Sequence, residues 1–249
     1  MKLADEGVSM IAATIREPYI HHIFRNYDRQ TWTTKELIII VNHNALSLAP
    51  YKKLASEYPN VSVYRVDERK NLGACLNYGA EKAKYNYIAK LDDDDYYSPH
   101  YVAEAMQQFS RSNADIVGKR SCYFFFPHRS RLLFRRPAVP ANSRCKKIAG
   151  ATIMFHKRVL EKVKFSTKLI QGTDVRFIRS CLSKGFKLYT TSRYNFVAFR
   201  RKNSSSHTWK VTDAKLLASR GALIIRTNTF KKYIIKPVTL LSKSENSSN

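Results

Sequence analysis

Four aspartates stand side by side in this chain, Asp92 to Asp95, within the segment AKLDDDDYYSPHY of residues 89–101. Their carboxylates repel one another, and acids are scarce, with 19 Asp and Glu against 44 Lys and Arg. Mg²⁺ and Mn²⁺ prefer carboxylate oxygens and usually bind one or two carboxylates together with substrate phosphates. Because a cation would offset the repulsion, the cluster predicts a site for Mn²⁺ or Mg²⁺ and a phosphate-bearing ligand.

Other interpretations of this acidic cluster compete with a metal site. A solvated acidic loop, or an acidic approach to a helix whose dipole favours negative charge, stays open at this point. Spacing excludes a calcium loop of the EF-hand type: counted from Asp92, position 6 is Tyr97 rather than Gly, and position 12 is Ala103 rather than Glu. An aspartyl nucleophile of the phosphatase type would follow the first strand, whereas this cluster follows the fourth predicted strand.

The composition restricts the partners and the compartment of the protein. A formal net charge of +25 implies an anionic partner, such as a nucleic acid, an anionic polymer, a membrane surface or a phosphorylated substrate. The four cysteines form no C-x-x-C pair, which indicates reduced thiols in the cytoplasm rather than disulfides or zinc. The N-terminus does not resemble a signal peptide, and no run approaches the roughly 18 apolar residues of a spanning helix. Any membrane contact is therefore expected to be peripheral.

Apolar runs of strand length alternate with helical patterns along the chain. The predicted strands are 8–15, 36–41, 61–66, 87–91, 114–118, 121–126, 151–155 and 187–199. Predicted helices cover 20–27 and 74–84, and two more begin at Ser98-Pro99 and at Thr173. This alternation predicts an α/β fold with a mostly parallel central sheet and helices on both faces. Ligands of such sheets bind beyond the carboxyl ends of the strands, which is where the acidic cluster lies.

Five segments, in order over about residues 8–202, resemble the motifs of family 2 glycosyltransferases with a GT-A fold. They are VSMIAATIREP (8–18), QTW with ELIIIV (30–41), KNLGACLNYGAEKAKYNYIAKLDDDDYYSP (70–99), GATIMFHKRVLEKVKF (150–165) and QGTDVRF (171–177). A looser likeness links the chain to bacterial enzymes of envelope or spore-surface polysaccharide synthesis. The resemblance implies a Rossmann-like GT-A catalytic domain over 1–210, with a nucleotide-sugar half (about 1–100) and an acceptor half (about 101–210). Residues 211–235 are expected to form a helical or extended appendage, and the polar residues 236–249 a flexible tail.

The activity that the resemblance implies is inverting transfer of a sugar from a nucleoside diphosphate, with a UDP-sugar favoured, to a hydroxyl acceptor. On the D-x-D pattern, Asp92 corresponds to a nucleotide and metal contact, Asp94 to a metal ligand, and Asp95 to an adjacent carboxylate. Asp93 occupies the variable position, where solvent exposure is expected and a nucleotide contact is the alternative.

Inversion requires a base on the face opposite the leaving group. Asp174 matches the Asp of the family's G-E-D motif and is the predicted catalytic base. Thr173 replaces the Glu of that motif. The alternative role for Asp174 is electrostatic support of a helix N-terminus beside a Thr173 cap.

The resemblance also implies a nucleotide-sugar pocket. Its predicted members are Thr14, Arg16, Asn42, Asn71 and Asn77, and His207 is a further predicted metal ligand. Asn42 stands where the family commonly has an Asp that accepts a hydrogen bond from uracil, and an amide can both accept and donate, so the base stays open. Gly73 is expected to serve backbone geometry.

The basic region 119–147 is predicted to form the acceptor side. Its candidate residues are Arg131, Arg135 and Arg136, with Trp209 from the C-terminal segment. The expected acceptor is a glycan, polymer or lipid-linked phosphate of anionic character, with possible peripheral contact to an anionic membrane and no nucleic acid. The alternative is a solvated charged loop packed on its own aromatic residues. The protein is expected in the cytoplasm or at the inner membrane face, and the rival function is an inactive GT-A scaffold that binds an anionic polymer or nucleic acid.

Overall fold

The computed structural model describes residues 6–135, 139–202, 211–219 and 221–238. The strands are β1 Val8–Thr14, β2 Lys35–Val41, β3 Val61–Arg65, β4 Tyr87–Asp92, β5 Tyr96–Tyr97, β6 Ile116–Gly118, β7 Tyr123–Phe126, β8 Arg131–Arg135, β9 Met154–His156, β10 Leu188–Thr190, β11 Phe196–Phe199 and β12 Ala222–Arg226. The α-helices are α1 Ile20–Asp28, α2 Ala49–Ala55, α3 Leu72–Lys82, α4 Tyr101–Arg111, α5 Thr173–Ser183, α6 Asp213–Leu217 and α7 Lys231–Ile234. Among these described residues, none of the helices is long and apolar enough to pass through a bilayer.

The central sheet has seven strands in the order β10-β6-β9-β4-β1-β2-β3, and only β9 runs antiparallel to its neighbours. Strand β2 is buried on both faces because its side chains alternate between two cores. Leu37 and Ile39 pack with α1 and α4 on one face, and Ile38 and Ile40 pack with α3 and α5 on the other. The predicted mostly parallel sheet with helices on both faces is confirmed.

The parallel register places the polar residues of three strands at one edge of this sheet. Thr14 lies opposite Val41, and Ala13 lies opposite Asp92. The backbone N–H of Asn42 donates to Thr14 O at 2.8 Å. The ends of β1, β2 and β4 therefore meet at the acidic cluster.

A second, five-stranded sheet has the order β12-β8-β7-β11-β5. The prediction of one strand over 187–199 is wrong, because β10 belongs to the central sheet and β11 to this one. The chain turns between them at Asn195, whose φ is 67° and whose amide donates to Glu104 Oε2 and Lys236 O. Residues 211–235 supply α6, β12 and α7, and β12 pairs antiparallel with β8.

Two predicted helix starts also differ from the structure. Helix α4 begins at Tyr101, three residues after Ser98. Ser98 Oγ donates to Asn195 Oδ1 and accepts from the His100 N–H at 3.3 Å in the turn before the helix. Helix α5 begins at Thr173, so Thr173 is its first residue rather than its cap. The capping position is Gly172 with a φ of 74°, a left-handed conformation that favours glycine.

Candidate active site

A buried lysine joins the two carboxylates that sequence reasoning assigns to opposite sides of the reaction. Lys90 Nζ lies 2.5 Å from Asp92 Oδ1 and 3.3 Å from Asp174 Oδ2, and it donates to Gly150 O at 3.3 Å. The Lys90 side chain is 2% exposed, whereas those of Asp92 and Asp174 are 36% and 22% exposed. One ammonium thus holds the end of β4 and the first turn of α5 together.

The electrostatics of this trio follow from burial and from its opposed charges. Burial opposes the charge of Lys90, but the carboxylates of Asp174 and Asp92 outweigh it and raise the pKa of the ammonium. Burial raises the pKa of Asp92 despite the opposing effect of Lys90, and the charges of Asp174 and Asp94 add to the rise. Asp174 Oδ1 is buried and has no hydrogen-bond partner among the described residues. One acceptor oxygen of the trio, Asp174 Oδ1, is therefore still unused by the described part of the chain.

Asp93 is buried at 4% exposure, so the expectation that it is solvated is wrong. Thr14 Oγ1 donates to Asp93 Oδ2 at 2.6 Å, and Arg16 Nε donates to the same oxygen at 3.1 Å. Arg16 Nη2 also pairs with Asp93 Oδ1. A bidentate guanidinium and a hydroxyl satisfy this carboxylate, and they fix the turn after β1 beside the cluster.

Asp94 faces two arginines from different parts of the chain. Arg16 Nη1 lies 3.3 Å from Asp94 Oδ2, and Arg201 Nη1 pairs with the same oxygen. Tyr19 lies between them, with its ring 4.6 Å from Arg16 Cζ and its hydroxyl 3.3 Å from Arg201 Nη1. Asp94 is thus the acid of the cluster at which basic groups converge.

Asp95 has a structural position beneath the cluster. Its Oδ1 accepts from the backbone N–H of Phe199 at 2.9 Å, and its backbone oxygen accepts from Asn26 Nδ2 at 2.8 Å. Burial, and secondarily the charges of Asp94 and Asp92, raise the pKa of Asp95 well above its usual range. The four aspartates therefore divide into Asp92 and Asp94, which line the partly exposed site, and Asp93 and Asp95, which support it.

The arrangement of an acidic cluster at the end of β4 and an acid on α5 can be compared with known proteins. Residues 10–164, more than half of the chain, match the family described as Glycosyl transferase family 2. The chain belongs to glycosyltransferase family 2. The expected family and the expected enzyme class are both confirmed.

Relatives of this glycosyltransferase occur in archaea and bacteria. The uncharacterized glycosyltransferase MJ1057 of Methanocaldococcus jannaschii is 24% identical in an alignment of 225 positions that covers 84% of this chain and 76% of MJ1057. The O-antigen biosynthesis glycosyltransferase WbnJ of Escherichia coli is 31% identical over 114 residues, which are 45% of this chain and 44% of WbnJ. The chain thus spans most of one relative and less than half of the other.

Solved structures confirm the GT-A fold of the glycosyltransferase. S. aureus TarS 1-349 in complex with UDP-GlcNAc has a TM-score of 0.63 at 12% identity, covering 83% of this chain and 61% of TarS 1-349. The mannosyltransferase PcManGT from Pyrobaculum calidifontis, in complex with GDP-Man and Mn²⁺, has a TM-score of 0.58 at 18% identity. That match covers 78% of this chain and 56% of PcManGT.

The carboxylate oxygens at the site of the glycosyltransferase are of the ligand type that a divalent cation prefers. No group of three or more His, Cys, Asp and Glu side chains surrounds a metal position within the described ranges. Asp92 and Asp94 nevertheless supply two carboxylates, the number that Mg²⁺ or Mn²⁺ usually takes from a protein when phosphates complete its shell. His207, the third predicted ligand, lies outside the described residues.

The asparagines of the predicted pocket serve mainly to position neighbouring segments. Asn42 Nδ2 donates to Val66 O and Asp67 O at 3.3 and 2.8 Å, which ties the end of β2 to the end of β3. Asn71 caps α3 by accepting from the Ala74 N–H, and it donates to Ser166 O and Leu169 O at 2.9 and 2.7 Å. The nucleotide contacts of Asn42 and Asn71 remain predictions.

Asn77 and Gly73 attach the same segment to α3. Asn77 donates to Phe165 O at 2.9 Å and accepts from the Phe165 N–H at 3.0 Å. A Cβ at Gly73 would lie 2.9 Å from Ser166 C and closer still to its oxygen, so close approach of two backbones, rather than a special φ, explains this glycine. These contacts place residues 165–169 across α3, and the nucleotide contact of Asn77 remains a prediction.

The basic region 119–147 contains the hairpin of β7 and β8, and its residues 139–147 are turns and irregular chain. Lys119 is buried, and its Nζ pairs with Glu104 Oε2 at 2.9 Å. Arg131 begins β8 in the hairpin with β7, where Phe126 and Phe134 are core residues. Arg136 and Trp209 lie outside the described residues, as does the side chain of Arg135, so the acceptor contacts of this region remain predictions.

Replacing Gly150 with Ala is expected to impair turnover more than folding. A Cβ there would lie 2.8 Å from the Cβ and Cγ of Asp174 and closer still to Oδ2, so the Asp174 side chain must shift and its contact with Lys90 is disturbed. A displacement of about 1 Å at a catalytic group can cost on the order of 10²-fold in rate. Release of nucleoside diphosphate measures the rate, and thermal unfolding measures stability. Unchanged turnover would show that the position of Asp174 is not critical.

Proposed function

We propose that this glycosyltransferase is an inverting enzyme with Asp174 as its general base and a divalent cation at Asp92 and Asp94. The observation that carries the proposal is the contact of one buried ammonium with Asp92 at 2.5 Å and with Asp174 at 3.3 Å. It brings a donor-side acid and a base-side acid into one site, and an inverting displacement at one carbon needs both. Removal of either acid should therefore affect a different half of the reaction.

The proposed step moves one proton and exchanges one bond. The acceptor hydroxyl gives its proton to the Asp174 carboxylate while its oxygen bonds to the anomeric carbon of the donor sugar. The bond from that carbon to the diphosphate oxygen breaks, and its electron pair leaves with the nucleoside diphosphate. Attack from the opposite face inverts the anomeric carbon. The buried and unpartnered Oδ1 of Asp174 supports this role, because a hydroxyl donor would satisfy it after a small rotation of the carboxylate.

The donor side depends on Asp92, Asp94 and the basic residues around them. A bound Mn²⁺ or Mg²⁺ would supply positive charge for the leaving diphosphate. Arg16 and Arg201, both in contact with Asp94, are the candidates to bind the diphosphate oxygens. Thr14 and Asp93 hold Arg16 in place. The binding of Mn²⁺ with GDP-Man by PcManGT supports a cation here.

The nucleotide and the pathway are narrower parts of the proposal. A UDP-sugar is favoured because TarS binds UDP-GlcNAc, and Asn42 is the candidate contact to the base. Bacterial surface polysaccharide or spore-coat glycan synthesis is proposed because WbnJ is named for O-antigen biosynthesis. A net charge of +25 favours an anionic glycan, polymer or lipid-linked acceptor. We place the reaction in the cytoplasm or at the inner membrane face, consistent with four free cysteines.

Thermal unfolding with a panel of nucleoside diphosphates tests the donor side. One nucleotide at about 100 times its dissociation constant stabilises by about 2.7 kcal/mol and should raise Tm by about 5 to 10 °C, but only with Mn²⁺. Asp94→Ala should remove the effect of Mn²⁺, whereas Asp28→Ala, an exposed aspartate outside the site, should keep it. Release of nucleoside diphosphate from matching nucleotide sugars then identifies the donor. Stabilisation by polyanions alone would contradict the proposal.

A further inference from the structure

Four aliphatic side chains lie exposed on the surface beside the candidate base. Leu72 is 37% exposed, Leu169 36%, Ile170 92% and Val175 54%. They come from the first turn of α3, the segment before α5 and the first turn of α5, and Val175 directly follows Asp174. We call Leu72, Leu169, Ile170 and Val175 the apolar rim.

The fold holds the apolar rim in place through contacts between its segments. Asn71 Nδ2 donates to Leu169 O at 2.7 Å, and Thr173 Oγ1 contacts the same oxygen at 3.5 Å. A Cβ at Gly73 would lie 3.1 Å from Thr173 Cγ2, so α3 and α5 are in close contact here. The exposure of the four aliphatic residues therefore belongs to a built surface rather than to a loose loop.

Basic residues without ion-pair partners surround the apolar rim. Lys70, Lys168, Arg176 and Arg179 are exposed, and none forms an ion pair within the parts of the chain that the structure describes. Most single exposed apolar residues need no explanation, but aliphatic side chains clustered among unpaired cations mark an interaction surface. The apolar rim can therefore enter an apolar phase, while the lysines and arginines around it attract negative charge.

We infer that the apolar rim docks the enzyme on a membrane surface that carries anionic lipid headgroups. Aliphatic side chains enter the boundary between headgroups and acyl chains, while lysines and arginines bind the lipid phosphates. A free polyanionic glycan would use the cations but gives no reason for an isoleucine that is 92% exposed. Docking does not rest on the proposed function. Its consequence does: Asp174, next to Val175, would face acceptors held in the same membrane.

Vesicle sedimentation tests the docking with the full chain. We expect binding to mixed phosphatidylglycerol–phosphatidylcholine vesicles and weak binding to phosphatidylcholine alone. The double variant Leu169→Ser/Ile170→Ser should bind the mixed vesicles at least about tenfold more weakly, because two apolar side chains no longer enter the boundary. Lys168→Gln/Arg176→Gln should also lose about tenfold, and high salt should remove the difference between this variant and the wild type.

A matched control separates the apolar rim from general attraction by a basic protein. Leu223 and Ile224 on β12 are 51% and 43% exposed, and Leu223→Ser/Ile224→Ser should leave vesicle binding unchanged. Equal binding by wild type and the rim variant, or an equal loss in the control, would overturn the inference. A third outcome would also overturn it. If sedimentation velocity showed that the wild type is a dimer and that Leu169→Ser/Ile170→Ser is a monomer, the apolar rim would be a protein interface. Lipid binding requires no turnover, so its failure is distinct from failure of the proposed reaction.

Discussion

Asp174→Asn is expected to abolish most sugar transfer while nucleotide binding persists. The amide keeps the shape of the carboxylate and can still accept from Lys90 Nζ, which lies 3.3 Å from Oδ2. It cannot take the proton of an acceptor hydroxyl, and loss of a positioned general base costs about 10²–10⁴-fold in rate. Turnover is measured as release of nucleoside diphosphate with acceptor present, and binding as Mn²⁺-dependent calorimetric titration with UDP.

The interpretation depends on separating loss of the base from loss of the fold. Asp28→Asn, at an exposed helical position away from the site, should match the wild type in both assays. Binding of UDP by Asp174→Asn should stay within about twofold of the wild type, since the change acts on the acceptor side. Near-normal turnover by this variant would exclude Asp174 as the base and leave it the role of supporting α5.

The fold of this chain was predictable because the apolar residues within its strands and helices follow the spacing typical of each element. The buried strand ELIIIV carries apolar residues that serve both faces of a parallel sheet, and the order of strands and helices then leaves few alternatives. The prediction of one strand over 187–199 was wrong because contacts with residues distant in sequence make the chain turn within it. Asn195 turns the chain by bonding to Glu104 and Lys236, which local sequence does not show.

The candidate site was predictable in position but not in the roles of its residues. The motif places Asp92 to Asp95 at a strand end, yet burial of Asp93 depends on Thr14 and Arg16, which lie more than seventy residues earlier. Lys90 was not predicted as a site residue, because it lies between the buried residues Ala89 and Leu91 in an apolar strand. The signal was available: alternation directs Lys90 to the same buried face as Ile88, where a lone lysine requires carboxylate partners.

Lys90→Met is expected to reduce both stability and turnover. Methionine fills the same buried space, but Asp92 and Asp174 lose their shared counter-charge. Breaking a buried ion pair costs about 3–5 kcal/mol in free energy of unfolding. Because both carboxylates are partly exposed, we expect the lower end, about 3 kcal/mol, which corresponds to a fall in Tm of about 6 to 12 °C. Turnover should fall by about 10²-fold or more, because Asp174 is no longer held beside Asp92. Thermal unfolding and release of nucleoside diphosphate measure the two effects.

A double-mutant cycle decides whether Lys90 acts through Asp174. In Lys90→Met/Asp174→Asn one uncompensated carboxylate is gone, so the double variant should be more stable than Lys90→Met, and its turnover should match that of Asp174→Asn. Lys119→Met is the matched control, since Lys119 is equally buried and pairs with Glu104 at 2.9 Å. It should lose comparable stability, and its effects should add to those of Asp174→Asn. If the effects of Lys90→Met were also additive, the 3.3 Å contact between Lys90 and Asp174 would carry no catalytic coupling.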